Sequence, residues 1–380
     1  MGRETVNLDH LKQNLQRLSV GAGVIFAVSA VLLWADRGAR IEAVNAGESE
    51  SRLPHIAIIK HASIAPLDDA EQGVMKILKR RGFGDGEGAT YSVYNAQGDF
   101  ATANAIAKTV VNDNVDLIVT LSTTSLQTVA AANRLLTVPK KHLFGITTDP
   151  FSAGVGVNRE EPLDHPSYLA GVGSLAPIKA LFEMVQKINP QVKSIGLVWN
   201  PAEVNSEAST MLARALVKEL DMELLEGNAE KASDAGEVTQ SLLSRGIDVL
   251  WLSTDVTTTT AQRVMIKAAA RAGVPVVSSM PSSAEHGALL SLGASYYALG
   301  LEQGEMAADV LEGRTLASIP VINWTPVSLG LNLTALEGLR DPWVIPEAIA
   351  GQAQVIFDEN GRREQDVLPP PLPEQLIWNP

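Results

Sequence analysis

Short clusters of hydroxyl, amide and carboxyl side chains follow apolar runs in both halves of the chain. The run Asp116–Leu121 is followed by Ser122–Ser125, and the run Asp248–Leu252 is followed by Ser253–Thr260. A third run, Ile195–Trp199, ends in a similar polar cluster. Hydroxyl groups and helix-start amides can bind a carboxylate, and a carboxylate among neutral hydroxyls can pair with an ammonium group. The clusters therefore predict recognition of a small polar molecule.

The candidate ligand-binding residues follow these runs or other short apolar segments of the chain. In the first half of the chain they are Ser122, Thr123, Thr124, Ser125 and Thr148. In the second half they are Asn200, Glu203, Asn205, Asp255, Ser279, Ser295 and Tyr296. Residues of these types also cap helices or form turns. For Asp255 the two alternatives are pairing with a ligand ammonium group and capping the helix that follows.

The sequence offers no signature of catalysis, of a metal site or of a cofactor. Its six histidines lack metal-ligand spacing, it has no Gly-x-Ser-x-Gly elbow or phosphate loop, and it has no cysteine. The glycine-rich stretch Gly82–Gly88 follows a predicted helix and precedes a predicted strand, which is the reverse of a dinucleotide-binding loop. We therefore expect a binding protein rather than an enzyme, without cofactor or metal.

Length and charge set further limits. The chain has 380 residues, which suits two domains, and 46% of them are hydrophobic, which is enough for sizeable cores. Its formal net charge of −13 argues against binding to nucleic acid or to anionic lipid. We interpret the acidity as serving solubility.

An uncharged stretch near the N-terminus is long enough to cross a membrane. Leu18–Ala35 would form a helix of about 27 Å, with Trp34 at one membrane interface. Its length favours an uncleaved anchor over a cleaved signal peptide, and its position near the terminus argues against a buried helix. We expect residues 1–17 to be cytoplasmic, residues 36–52 to be a tether and the remainder to be extracytoplasmic (periplasmic).

From Leu53 onward, apolar runs alternate with helical patterns, which is typical of βα units on parallel sheets. Ligands of such sheets bind outside the carboxyl ends of the strands. The predicted fold is α/β, with two Rossmann-like lobes that face each other across a cleft. The expected segments are lobe 1 over 53–150, a crossing over 151–173, lobe 2 over 174–298, a helix and return crossing to lobe 1 over 299–331, and a C-terminal extension over 332–380.

Six motifs along these units resemble one family, the substrate-binding proteins of ABC transporters that include tryptophan- and tyrosine-binding members. The order of the motifs over residues 53–331 makes the resemblance specific. The matching stretches are Ile59–Ser63 with Asp68–Gly73, Asp116–Ser125, Phe144–Pro150, Ser194–Pro201, Ser253–Asp255, and Ser291–Tyr297 with Gly300 and Gly304.

The resemblance implies a type I periplasmic-binding fold that closes on an amino-acid-like ligand, with ABC permease and ATPase subunits as partners. It adds Ser63 to the candidate contacts and implies roles for the lobe 1 hydroxyls and for Asp255 as ligand holders. Two alternatives stay open: a ligand-sensing module of a membrane complex and, more weakly, a two-lobed transferase-type enzyme.

Overall fold

The computed structural model describes residues 52–367. The predicted N-terminal segment (1–17), the predicted anchor (18–35), residues 36–51 of the tether and residues 368–380 of the extension lie outside the described residues. By its internal contacts the chain divides into two units, Met1–Leu53 and Pro54–Pro380. All the strands and helices described below belong to the second unit. Within residues 52–367, no helix combines the length and the apolar character that crossing a membrane requires.

Fourteen strands and nine α-helices make up the described chain. The strands are β1 (His55–Lys60), β2 (Thr90–Asn95), β3 (Leu117–Leu121), β4 (His142–Thr147), β5 (Leu169–Gly173), β6 (Ser194–Trp199), β7 (Glu223–Asn228), β8 (Val249–Leu252), β9 (Val276–Ser278), β10 (Leu290–Ala294), β11 (Ile322–Asn323), β12 (Val327–Asn332), β13 (Val355–Asp358) and β14 (Gly361–Glu364). The helices are α1 (Ala65–Arg80), α2 (Phe100–Asn112), α3 (Thr123–Asn133), α4 (Ile178–Ile188), α5 (Val204–Glu219), α6 (Ala235–Ser244), α7 (Val256–Arg271), α8 (Tyr296–Leu311) and α9 (Glu347–Ala350).

Lobe 1 contains a six-stranded parallel sheet in the order β11-β5-β4-β3-β1-β2. Its central strands β3 and β4 are buried along their whole length. This is expected of apolar strands that have helices on both faces of a parallel sheet. Separate clusters of buried aliphatic side chains form its core.

Lobe 2 contains an eight-stranded mixed sheet in the order β14-β13-β12-β10-β9-β8-β6-β7. The strands from β7 to β10 are parallel, whereas β12 is antiparallel to β10, and β14 is antiparallel to β13. One face of the sheet packs against α4, where the ring of Phe182 meets the ring of Trp251 edge-on at 5.1 Å. The predicted architecture of two α/β lobes with parallel sheets is confirmed.

Helix α8 follows the lobe 2 strand β10, yet it packs in lobe 1 against α1. The two helices approach closely because glycines stand at their contact: a Cβ on Gly73 would lie 2.6 Å from the carbonyl oxygen of Tyr297, and a Cβ on Gly300 would overlap the carbonyl of Ala70. At the far end of the pair, Arg81 forms ion pairs with acidic side chains of α8, among them Glu305 at 2.7 Å. The helix that begins beside the cleft is therefore fixed to lobe 1.

The chain passes between the lobes three times: after β5, between β10 and α8, and between β11 and β12. These positions differ from the predicted crossings. The stretch predicted as the first crossing, residues 151–173, ends in β5, whose short Leu-Ala-Gly-Val-Gly run pairs with β4. The predicted return segment, residues 299–331, contains α8 and β11 of lobe 1, but it ends in β12 of lobe 2.

Candidate functional site

A cavity lies where the carboxyl ends of the parallel strands of the two lobes meet. Lobe 1 contributes three segments to its lining. The segment from β1 into α1 provides Ile64, Pro66 and Leu67, the segment from β3 into α3 provides Ser122, Thr123 and Thr124, and the end of β4 with the residue after it provides Ile146 and Thr148. The lobe 1 wall therefore combines apolar side chains with hydroxyl groups.

The opposite wall comes from lobe 2 and from the crossings. Its residues are Ser174 after β5, Asn205 in the first turn of α5, Thr254 and Val256 on either side of the start of α7, and Tyr296 at the start of α8. The hydroxyl of Thr254 is buried and has no hydrogen-bond partner among the described residues. Polar groups from both sides of the cleft thus converge on one small space.

The lobes are closed around this space. The cavity has a volume of about 30 Å³, and one water molecule needs about 10–15 Å³ of such volume. At the cleft edge, a Cβ on Gly98 of lobe 1 would lie 4.0 Å from Cγ1 of Val256 of lobe 2. A solute larger than one or two water molecules therefore enters only when the lobes separate.

Helix α3 begins at the lobe 1 wall and leaves hydrogen-bond donors open. The Ser122 hydroxyl caps it by accepting from the backbone N–H of Ser125 at 3.0 Å. The N–H groups of Thr123 and Thr124 precede the first intrahelical acceptor, so helix geometry leaves them without a carbonyl partner. The Thr124 side chain is 7% exposed, and its hydroxyl makes no hydrogen bond within residues 52–367. This corner suits a carboxylate oxygen.

Helix α7 begins at the lobe 2 wall and has no open donor in its first turn. Glu203 accepts from the N–H groups of Val256 at 2.8 Å and Thr257 at 3.1 Å. The carboxylate of Asp255 accepts from the N–H of Thr258 at 2.7 Å and from the hydroxyl of Ser206 at 3.0 Å. The fourth N–H, that of Thr259, donates to the carbonyl oxygen of Asp255. Both acids therefore serve as helix caps.

Burial makes Asp255 an unusual carboxyl group. The side chain has no exposed surface, and desolvation, with a smaller contribution from the nearby charge of Glu203, raises its pKa to about 7. The hydrogen bonds from Thr258 and Ser206 act in the opposite direction. A raised pKa means that this carboxyl keeps its proton to a higher pH than an exposed aspartate does.

We expect Asp255→Asn to gain stability relative to the parent protein as pH rises from 5 to 8. Between the ordinary aspartate pKa of about 4 and the raised value, the folded protein holds a proton that the unfolded chain has released. The parent therefore loses stability as pH rises through this window, and the asparagine does not. Urea unfolding midpoints of both proteins at the two pH values measure the difference.

Asp99→Asn provides the control of opposite sign. Asp99 caps α2, and its hydrogen bonds to Thr102 lower its pKa. This variant should lose stability relative to the parent as pH rises through the acidic range. A constant difference between Asp255→Asn and the parent from pH 5 to 8 would rule out a raised pKa for Asp255.

Comparison with known proteins assigns the chain to a family. A family model described as "ABC transporter substrate binding protein" matches residues 55–355. The chain belongs to this family. The match confirms the resemblance predicted from the six motifs and identifies the two lobes as those of a substrate-binding protein.

Relatives agree with the assignment. The tyrosine-binding protein of Clostridioides difficile (strain R20291) is 32% identical over 282 residues, which cover 74% of this chain and 79% of that protein. A conserved domain protein from Vibrio cholerae O1 biovar El Tor has a crystal structure with a TM-score of 0.75 and 31% identity, covering 80% of this chain and 100% of that one. A Streptococcus pneumoniae ABC domain in complex with L-Trp shares the fold, with a TM-score of 0.73, 22% identity and the same coverages.

Within this substrate-binding protein, the cavity brings together about half of the residues that the sequence predicted as ligand contacts. They come from both lobes and are Ser122, Thr123, Thr124, Thr148, Asn205 and Tyr296. Their roles in binding stay predictions. Their common feature is a position at the carboxyl end of a parallel strand or in the first turn of the helix that follows.

The other predicted contacts lie outside the cavity lining. Ser63 is exposed and accepts a hydrogen bond from Asn95, whereas Ser279 is buried and accepts one from Trp251. The remaining five join the local structure of helix starts as caps or cap partners: Ser125, Asn200, Glu203, Asp255 and Ser295. Helix capping, the alternative considered for Asp255, is the arrangement found.

Sequence reasoning missed seven lining residues, most of them apolar. They are Ile64, Pro66, Leu67, Ile146, Ser174, Thr254 and Val256. Apolar residues next to strand ends look like core residues in a sequence. The signal that could have found Thr254 and Val256 is their position on either side of the helix cap Asp255.

Proposed function

We propose that this protein is the solute-binding component of an ABC importer and that it closes its lobes on a small amino-acid-like ligand. The supporting observation is the interlobe cavity, which is lined by hydroxyl, amide and apolar side chains of both lobes. Closure of two lobes around a shared site is a common way for a protein to bind a small solute. Binding rather than catalysis is the function that the family supports.

The open donors at the start of α3 favour a ligand with a carboxylate. The apolar side chains Ile64, Leu67, Ile146 and Val256, together with the ring of Tyr296, provide surface for an apolar or aromatic body. The Clostridioides relative is named a tyrosine-binding protein, and the Streptococcus structure contains L-Trp. Both names agree with an amino-acid-like ligand for this chain.

We also propose a location and partners for this protein. Residues 18–35 would tether the lobes to the outer face of the cytoplasmic membrane, and the closed lobes would deliver the ligand to a permease driven by ATPase subunits. The uncharged sequence of residues 18–35 supports the tether. Membrane fractionation of the full-length chain, compared with a chain in which residues 18–35 are deleted, tests it: release of the deleted form alone is the expected result.

The ligand can be sought directly. The full-length protein, purified in detergent, is denatured, and the released small molecules are identified by mass spectrometry. The refolded protein is then titrated calorimetrically with small carboxylates, including L-tyrosine and L-tryptophan. Saturable binding of one compound at a one-to-one ratio is expected. The absence of any released or bound solute would contradict the proposed function.

We expect Thr124→Val to weaken binding of the best of these compounds about tenfold, which is about 1.4 kcal/mol. Valine keeps the shape of threonine but removes a cavity hydroxyl that has no partner among the described residues, so stability should change little. Thr137→Val is the matched control, because Thr137 is exposed and lies outside the cavity lining. Equal affinities of Thr124→Val and the parent protein, measured by calorimetry, would exclude a contact between Thr124 and the ligand.

A further inference from the structure

The described lining of the interlobe cavity carries no charge. Among residues 52–367, no carboxylate, ammonium, guanidinium or imidazole group belongs to it. A free amino acid has both a carboxylate and an ammonium group, and burying either without a partner is costly. The positions of the donors and acceptors in the cavity therefore indicate which of the two charges the site can accommodate.

A carboxylate finds donors on the lobe 1 side. The N–H groups of Thr123 and Thr124 stand at the positive end of α3. Two hydroxyl groups support them: the side chains of Thr124 and Thr148 are each 7% exposed and line the cavity. Neither hydroxyl has a partner within the described chain, so both are free to donate to a carboxylate oxygen.

Within the described lining of the cavity, an ammonium group finds no anion on the lobe 2 side. The carboxylates of Glu203 and Asp255 lie near this wall, but both accept hydrogen bonds from the start of α7, and neither lines the cavity. Asp255 has no exposed surface at all. What faces the ligand on this wall is the side chain of Val256 together with the neutral amide of Asn205 and the neutral hydroxyls of Ser174 and Thr254.

We infer that the cavity prefers a small carboxylate without an α-ammonium group, such as a 3-arylpropionate, to the corresponding amino acid. This inference rests on the proposed function and names the class of its ligand. The carboxylate binds at the start of α3, the aryl group packs against the apolar side chains and Tyr296, and the carbon next to the carboxylate faces Val256. An ammonium on that carbon would lose its hydration without gaining an anionic partner.

Two pairs of compounds that differ only by the ammonium group test the inference. They are 3-(4-hydroxyphenyl)propionate with L-tyrosine and 3-(indol-3-yl)propionate with L-tryptophan. Calorimetric titration of the refolded full-length protein is expected to give a Kd at least about tenfold lower for the propionate in at least one pair. Equal or tighter binding of the amino acid in both pairs overturns the inference but leaves the proposed function intact.

Substitution of Val256 sharpens the test. Val256→Asn places an amide oxygen at the wall and should reduce the preference for the propionate about tenfold. Val256→Ala removes apolar contact without adding an acceptor, so it should weaken both members of a pair equally. A preference that is the same in Val256→Asn as in the parent would contradict the assigned role of Val256. If none of the four compounds binds, the inference fails, whereas the proposed function is decided by the solute that is released on denaturation.

Discussion

Replacing Gly300 with alanine is expected to destabilise the protein by about 3 kcal/mol, the upper range for forced overpacking. The added Cβ would overlap the backbone of Ala70 in α1, and backbone atoms of a packed helix move only if the helix moves. Separation of α1 from α8 would also displace Tyr296 and the Ile64–Leu67 segment, which line the cavity. We therefore expect loss of ligand binding together with a lower midpoint of thermal unfolding.

Gly236→Ala is the matched control for this substitution. Gly236 also lies within a helix, but a Cβ there would meet only Cγ1 of Val264, at 3.0 Å, and the Val264 side chain is 60% exposed and free to move. Alanine favours helices over glycine by about 1 kcal/mol, so this variant should be as stable as the parent or slightly more stable. An unfolding midpoint of Gly300→Ala as high as that of Gly236→Ala would show that the α1–α8 contact tolerates a methyl group.

The fold was largely predictable because its dominant signal is local. Short apolar runs alternate with helical patterns, and the three runs Asp116–Leu121, Ile195–Trp199 and Asp248–Leu252 lie on the parallel strands β3, β6 and β8. The lobe to which α8 belongs was harder to predict, because hydrophobic periodicity does not say which sheet a helix packs on. The clue was Gly73 with Gly300 and Gly304, which permit close packing of two helices far apart in sequence.

The site was predictable in position but only partly in composition. Strand ends located the cavity, since the carboxyl ends of parallel strands meet at one edge of each sheet. Around α7, however, Asp255 was the strongest candidate by residue type, and its carboxylate caps the helix instead of lining the cavity. Its neighbours Thr254 and Val256 line the cavity. A helix cap and a ligand contact require the same residue types, so residue type alone cannot separate them.

This division of roles explains how a cavity without charge can lie beside two carboxylates. Glu203 of lobe 2 and Asp255 hold the start of α7, and α7 in turn positions the side chain of Val256 in the wall. The acids therefore determine the shape of the site through the helix that they cap. Their removal should affect ligand binding even though neither contacts the cavity.

Truncation of Glu203 to alanine is accordingly expected to cost about 2 kcal/mol of stability, because it leaves buried donors without an acceptor. Those donors are the N–H groups of Val256 and Thr257 and the Thr257 hydroxyl, which bonds to Glu203 at 2.8 Å. With the start of α7 released, the position of Val256 becomes less defined. Affinity for the best-binding compound should therefore fall about tenfold. Urea unfolding and calorimetric titration measure the two effects.

Glu207→Ala is the control for Glu203→Ala, since Glu207 is an exposed acid in the first turn of the same helix, α5. It should change neither stability nor affinity appreciably. Unchanged stability of Glu203→Ala would contradict the capping role. Lower stability with unchanged affinity would instead show that the wall keeps its shape without the cap. Because the Glu203 charge contributes to the raised pKa of Asp255, the truncated protein should also lose less stability between pH 5 and 8 than the parent does.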